Sequence, residues 1–142
     1  MPVNSFRDLR VWQAAMELVA CIYDVTKSFP AHETYGLVSQ MRRAVVSVPS
    51  NIAERHTRES TKEYLHHISM AQASLAELQT QIEIPVMLKY LPEATNNIMN
   101  RTTSLSKQLY ALRNGLTRKL SQTPIPQPAS ARRLYDTCTI QL

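Results

Sequence analysis

Residues 37–54 read LVSQMRRAVVSVPSNIAE, a run that contains the arginine pair Arg42 and Arg43 and no acidic residue before Glu54. Apolar side chains recur along it at steps of three and four residues, the spacing of one helix face; they are Leu37, Met41, Ala44, Val48 and Ile52. Pro49 lies inside this pattern, and proline removes one backbone hydrogen bond from a helix interior. Because the apolar stripe continues beyond Pro49, the sequence predicts a helix that is kinked there but does not end.

The face of this helix opposite the apolar stripe carries little charge. A surface helix normally presents charged side chains to solvent, whereas this one presents mostly serine, alanine and valine. At about 100° per residue, Arg43 lies about 200° around the helix from Met41, away from the core. We therefore expect protein rather than water to cover much of this face.

Three further segments show the same periodicity. The first carries Leu9, Trp12, Met16, Val19 and Tyr23; the third carries Ile68, Ala71, Leu75, Leu78 and Ile82; the fourth carries Ile98, Thr102, Leu105, Leu109, Leu112 and Leu116. Phe29-Pro30 ends the first segment, and the second starts near Thr34 or Tyr35. Ser60 and Glu63 have capping-box spacing at the start of the third. Pro92, a favoured first helical residue, starts the fourth.

These segments predict an all-α fold, an antiparallel up-and-down four-helix bundle over residues 1–120, because short connections make neighbouring helices antiparallel. Pro85 leaves two alternatives for the third helix, which bends there or breaks before Leu91. Residues 121–142 contain three prolines within five residues and no periodicity, which is typical of an irregular, extended or disordered tail.

The composition excludes several function classes. The chain has two glycines in 142 residues, too few for a phosphate-binding P-loop, a dinucleotide-binding turn or a nucleophile elbow. Its formal net charge of +5 favours an anionic partner, but the basic residues look dispersed rather than massed in one run. Cys21 and Cys138 have no metal-binding spacing and are expected to be free thiols. With no signal peptide and no apolar run of about 18 residues, we expect a cytoplasmic protein with no membrane partner.

A series of short motifs extends over residues 5–120. They are FRDLRVW at 6–12, Tyr23 with Phe29-Pro30, E-x-YGL at 33–37, SQMRRA at 39–44, SVPSNIAE at 47–54, Arg58, Glu63-Tyr64, Ala71, SL-x-EL-x-TQ at 74–81 and Tyr90-Leu91. Their order resembles a family of four-helix bundle proteins encoded in intervening sequences of bacterial large-subunit ribosomal RNA genes. The resemblance implies rings of five subunits. It extends to accessory variability proteins of retroelements, which bind nucleic acid and a reverse transcriptase.

The chain departs from the family pattern at four places. Arg55-His56-Thr57 stand where glycines are usual, Ala73 replaces a glycine, Gln79 replaces an acid, and Pro85 replaces a helix former. We expect the fold to tolerate these changes, while the shape of the loop between the second and third helices differs.

Two interaction sites follow from the second helix and the turn after it. An oligomer interface is predicted on its outer stripe, at Ser39, Arg43, Ser47, Ser50, Asn51 and Glu54. The alternative is a nucleic-acid-binding accessory module, in which arginine and lysine contact phosphates through Arg42, Arg43, Arg55, Arg58 and Lys62.

Metal binding and catalysis have weaker support. Glu63-x-x-His66 has the spacing of di-iron bundles, but the chain lacks a second copy, and His66 and His67 point about 100° apart on a helix. No acid lies beside a plausible nucleophile, which argues against catalysis. The sequence pattern shows no aromatic residues on a basic helix face, the arrangement needed for stacking on nucleic-acid bases. We expect no metal, no cofactor, no small-molecule substrate and no enzymatic activity. The sequence thus predicts a structural homo-oligomer, a pentamer by resemblance, of unknown biological role.

Overall fold

The computed structural model describes residues 5–55, 60–92 and 96–122. Most of them belong to four helices, α1 (Arg10–Thr26), α2 (Ser39–Arg55), α3 (Thr61–Met87) and α4 (Asn96–Gln122), and no strand occurs in these ranges. Each helix packs against its neighbours in sequence, and α4 closes the bundle against α1. The predicted all-α four-helix bundle is therefore confirmed.

Side-chain contacts establish that neighbouring helices run in opposite directions. Ser47 of α2 contacts Ser74 of α3, and Asn51, one turn later in α2, contacts His67, two turns earlier in α3. The α1–α2 and α3–α4 connections also meet at one end of the bundle, where the rings of Phe29 and Tyr90 lie 5.8 Å apart. In an up-and-down bundle the first and third connections lie at one end and the second connection lies at the other end, so this contact is the expected one.

Burial confirms the predicted seams of α2, α3 and α4, except that Leu37, Leu112 and Leu116 pack at the edge of the core, and it corrects the seam of α1. The side chains of α1 that reach the core are Val11, Ala15, Leu18 and Ile22, whereas Met16 and Tyr23 of the predicted stripe are exposed. The other three predicted members, Leu9, Trp12 and Val19, pack at the edge of the core. Helix α1 is apolar over such a wide arc that two neighbouring stripes both satisfy the helical spacing.

The two internal prolines do not end their helices. Helix α2 continues past Pro49 to Arg55, as predicted. Helix α3 continues past Pro85 but ends at Met87, so of the two alternatives the structure has the break before Leu91. Pro92 lies outside α4, whose described part starts at Asn96, so the predicted start at Pro92 is wrong.

The start of α2 is built by a carboxylate. Ala31–Glu33 form a 3₁₀ turn, and the chain is kinked at Gly36, whose φ of −103° and ψ of −110° are not helical. The regular helix α2 starts at Ser39, later than the predicted start near Thr34 or Tyr35. Glu33 Oε2 accepts a hydrogen bond from the Leu37 backbone N–H at 3.1 Å. A β-carbon at Gly36 would lie 3.1 Å from that oxygen. Glycine therefore leaves room for the carboxylate that caps the helix.

Helix α3 begins and ends with defined caps. The Ser60 hydroxyl accepts from the Glu63 N–H at 3.1 Å, as the capping-box spacing predicted. At the other end, the Lys89 N–H donates to the Val86 carbonyl and the Tyr90 N–H to the Pro85 carbonyl. These two bonds form a Schellman motif, with Lys89 in the left-handed conformation at a φ of 63°.

None of the helices in the described ranges is long and apolar enough to cross a membrane. Cys21 is a free, half-buried thiol. Cys138 and the predicted tail lie outside the described residues, except that α4 continues to Gln122.

Replacing Lys89 with glycine is expected to stabilise the protein. Glycine adopts the left-handed conformation without the β-carbon clash that a lysine experiences. We expect Lys89→Gly to raise the free energy of unfolding by about 0.5–1 kcal/mol, measured by urea denaturation. Lys27→Gly is the matched control, because Lys27 caps α1 in the right-handed region, at a φ of −60°; this variant should lose stability. Equal effects of the two substitutions would contradict the prediction.

Candidate interaction surface

Arg42 fastens α2 to the carboxyl end of α1. Its Nε donates to Thr26 Oγ1 at 3.0 Å, and a terminal nitrogen donates to the Tyr23 carbonyl at 3.4 Å. The guanidinium carbon also lies 4.5 Å from the centre of the Tyr23 ring. A cation near the last carbonyls of a helix interacts favourably with the helix dipole. Arg42 is thus engaged within the protomer.

A hydrogen-bonded network joins α2 to α3. The Ser47 and Ser74 hydroxyls lie 2.9 Å apart. The Asn51 side-chain nitrogen donates to the Ser47 carbonyl at 2.8 Å and to its hydroxyl at 3.1 Å. His67 Nδ1 lies 3.2 Å from Asn51 Oδ1, and because an amide oxygen only accepts, this nitrogen is the donor. The same His67 nitrogen lies 3.4 Å from a Glu54 carboxylate oxygen at the edge of the network.

This network corrects part of the predicted outer stripe. Asn51 is only 6% exposed, and both it and Ser47 face α3 rather than a second subunit. Glu54 is exposed but also turns toward α3 through His67. Burying polar groups is favourable only where they are hydrogen-bonded, and the network supplies those partners. Ser39, Arg43 and Ser50 are the members of the stripe that remain on the outer surface.

A shallow groove lies on this outer surface, between the carboxyl end of α1 and the first half of α2. It is lined by Tyr23, Thr34, Tyr35, Val38, Ser39, Arg42, Arg43 and Val46 and has a volume of about 470 Å³. Tyr35 is 96% exposed and Val46 is 40% exposed. We refer to these eight residues as the α1–α2 groove.

The predicted basic site does not assemble into one cluster among the described residues. Arg43 is exposed in the α1–α2 groove, and Lys62 is exposed in the first turn of α3, where it lines a separate hollow with Ser60, Glu63, His66 and His67. The Arg55 backbone ends α2, while its side chain and all of Arg58 lie outside the described residues. With Arg42 bound to α1, phosphate binding by this set stays a prediction.

No group of histidine, cysteine, aspartate or glutamate side chains within the described residues is arranged to hold a metal ion. His66 and His67 contact one another edge to face, with ring centres 5.8 Å apart. His67 is oriented by Asn51 and Glu54, so its defined contacts are those of a helix-to-helix hydrogen bond.

Sequence reasoning missed the exposed aromatic side chain of the groove. The helical seam that starts at Leu37 does not pass through Tyr35, and this displacement is the signal that could have identified it. A large side chain outside the seam has no place in the core of the bundle.

Comparison with known proteins identifies a family and a similar solved structure. The family model for the 23S rRNA-intervening sequence protein matches residues 7–111. A crystal structure of a protein with unknown function from the S23 ribosomal protein family of Bacteroides thetaiotaomicron is similar, with a TM-score of 0.68 and 19% sequence identity. The alignment covers 73% of this chain and 95% of that chain, and at this identity it supports the fold alone. No curated protein matches the sequence.

The α2–α3 network predicts a specific cost for removing its central amide. Asn51→Ala removes the hydrogen bonds of the Asn51 amide to His67 and Ser47 and leaves the His67 nitrogen only its Glu54 contact. We expect it to lower the free energy of unfolding by about 1–3 kcal/mol. Urea denaturation at a fixed protein concentration measures this loss. Ser50→Ala is the control, because the exposed Ser50 hydroxyl bonds only the Val46 carbonyl of its own helix and should matter by less than about 0.5 kcal/mol. Similar losses for both variants would argue against a stabilising network.

Proposed function

We propose, from the premise that this chain belongs to the 23S rRNA-intervening sequence protein family, that it is a non-enzymatic structural protein of the bacterial cytoplasm. Its copies associate through the α1–α2 groove into a homo-oligomer. The proposed number of subunits is five, which is the number that the family resemblance implies.

The observation that carries this proposal is the exposure of Tyr35. Its side chain is 96% exposed beside the apolar Val38 and the half-exposed Val46. Tyrosine is enriched among the residues that contribute most to protein–protein binding, since it buries a large ring and keeps a polar hydroxyl. A second subunit that covers the groove would remove this ring from water.

The opposite wall of the groove is ordered within the protomer. The Arg42 guanidinium stacks on Tyr23 while its nitrogens bond α1. A side chain that is already ordered loses less conformational entropy when a partner arrives. The Tyr23–Arg42 pair therefore supports tight association at a low entropic cost.

The polar members of the groove suit a subunit contact as well. Ser39 is small and allows a second helix to approach closely. Arg43 is exposed and makes no ion pair among the residues that the structure describes. An acidic side chain of a neighbouring copy would give it a charge-assisted hydrogen bond, so Arg43 would fix the orientation of that copy on the groove.

A charge placed in the groove is expected to dissociate the assembly. Val46→Glu puts a carboxylate three residues after Arg43 on α2. There it takes up the cation proposed to bind the neighbouring copy, and it adds a charged group that association must desolvate. Five copies of the 16.2 kDa chain weigh about 81 kDa. Light scattering coupled to size-exclusion chromatography should give this mass for the native chain and the mass of one chain for the variant.

Met70→Glu is the matched control, because Met70 of α3 is 44% exposed and lies outside the groove. It introduces the same charge at a site of similar exposure and should leave the mass unchanged. A monomeric native chain, or dissociation by Met70→Glu but not by Val46→Glu, would refute the proposed interface.

A further inference from the structure

The net charge of this protein resides in one helix. Helix α4 carries five basic residues and no acidic residue; they are Arg101, Lys107, Arg113, Arg118 and Lys119. The rest of the chain carries eleven basic and eleven acidic residues. The basic residues that looked dispersed along the sequence are thus segregated, and the absence of any acid from 94 to 135 is the signal that reveals it.

A basic–aromatic–basic row lies on the surface of α4. Lys107, Tyr110 and Arg113 follow each other at steps of three residues, which makes them neighbours on a helix. Tyr110 is 60% exposed, and the two flanking side chains are also exposed. Tyr110 is thus an aromatic residue displayed on a basic helix face, a feature that the sequence analysis missed.

The cations of this row are free to meet a ligand. Within the described residues, neither Lys107 nor Arg113 forms a salt bridge. Arg101 differs, because it bonds Glu17 of α1 at 3.1 Å and so closes the bundle. Arg101 therefore stabilises the fold, whereas Lys107 and Arg113 remain available for an external ligand.

Uncharged hydrogen-bonding groups continue the surface beside the row. A shallow groove of about 480 Å³ is lined by Asn100, Thr103, Ser104, Lys107, Gln108 and Ala111. Amide and hydroxyl side chains of these types, together with lysine and arginine, make most protein contacts to nucleic-acid phosphates. The surface thus combines phosphate donors with an exposed ring.

We propose that the outer face of α4 binds single-stranded nucleic acid, with a base stacked on the Tyr110 ring and phosphates contacted by Lys107 and Arg113. The combination of stacking ring and basic track is what single strands require, because their bases are not already stacked within a duplex. Binding of this kind has little base specificity. The inference rests on α4 and is independent of the self-association proposed for the α1–α2 groove.

Fluorescence anisotropy with a labelled single-stranded oligonucleotide of about 20 nucleotides tests the stacking. Tyr110→Ala should weaken binding by about 5-fold to 150-fold, the equivalent of about 1–3 kcal/mol for one stacked base. Tyr110→Phe keeps the ring and should bind like the native chain. Circular dichroism establishes that each variant retains its helices, which is expected because Tyr110 is exposed.

Salt dependence tests the phosphate contacts. The double variant Lys107→Gln/Arg113→Gln should reduce the slope of log affinity against log salt by about 1.4, since each phosphate contact on a single strand contributes about 0.7. Lys27→Gln/Lys62→Gln removes the same charge from two exposed lysines that lie outside both α4 and the α1–α2 groove, and it should leave the slope unchanged.

Several outcomes would overturn the proposal. They are no binding by the native chain at low salt, unchanged binding by Tyr110→Ala, and a larger slope change for the Lys27/Lys62 pair than for the Lys107/Arg113 pair. Equal affinity for a duplex of the same length, or displacement of the oligonucleotide by polyglutamate at equal charge, would assign α4 to polyanions in general and would also refute it.

Discussion

The hydrogen-bonded contact between α2 and α3 is the constraint on which the bundle depends. An apolar seam of small and branched side chains tolerates sliding, because dispersion and burial change little from one register to the next. Ser47, Asn51, Ser74 and His67 remove that freedom, since each would lose its partner if α2 moved by one turn along α3. Buried polar groups cost free energy when they are left unpaired. With α2 held in place, Arg42 reaches the end of α1 and the α1–α2 groove acquires its shape.

Periodicity predicted three of the four helical seams, because each of those helices has one apolar stripe. It was wrong for α1, where Met16 and Tyr23 form a second apolar stripe beside the buried one. It also misplaced Ser47 and Asn51, for a different reason. A helix in a four-helix bundle is covered by two neighbours, so residues well away from the central seam can still be inside the protomer. A helical wheel defines one core direction and cannot separate a flank that meets another helix from a flank that meets solvent. Tertiary structure supplies that distinction.

The two proposed surfaces lie on diagonally opposite helices. Helix α2 contacts α1 and α3, and α4 contacts the same two helices from the other side. The α1–α2 groove therefore does not include the outer face of α4. In an oligomer this arrangement repeats the α4 surface once per subunit. Several weak contacts to one long strand then act together, and their combined strength exceeds that of any single contact by orders of magnitude when the spacing allows simultaneous engagement.

The segregation of charge on α4 has a consequence for how the molecule moves before it touches anything. With equal numbers of basic and acidic residues elsewhere and five basic residues on one helix, the net charge of the protomer is concentrated on α4. Near a negatively charged body such a molecule experiences a torque as well as an attraction, and within about 10 Å at moderate ionic strength it turns α4 toward that body. Orientation then precedes contact. Because the charge is concentrated on α4, the protein approaches a negatively charged body with α4 in front. The same charges distributed uniformly would not orient it.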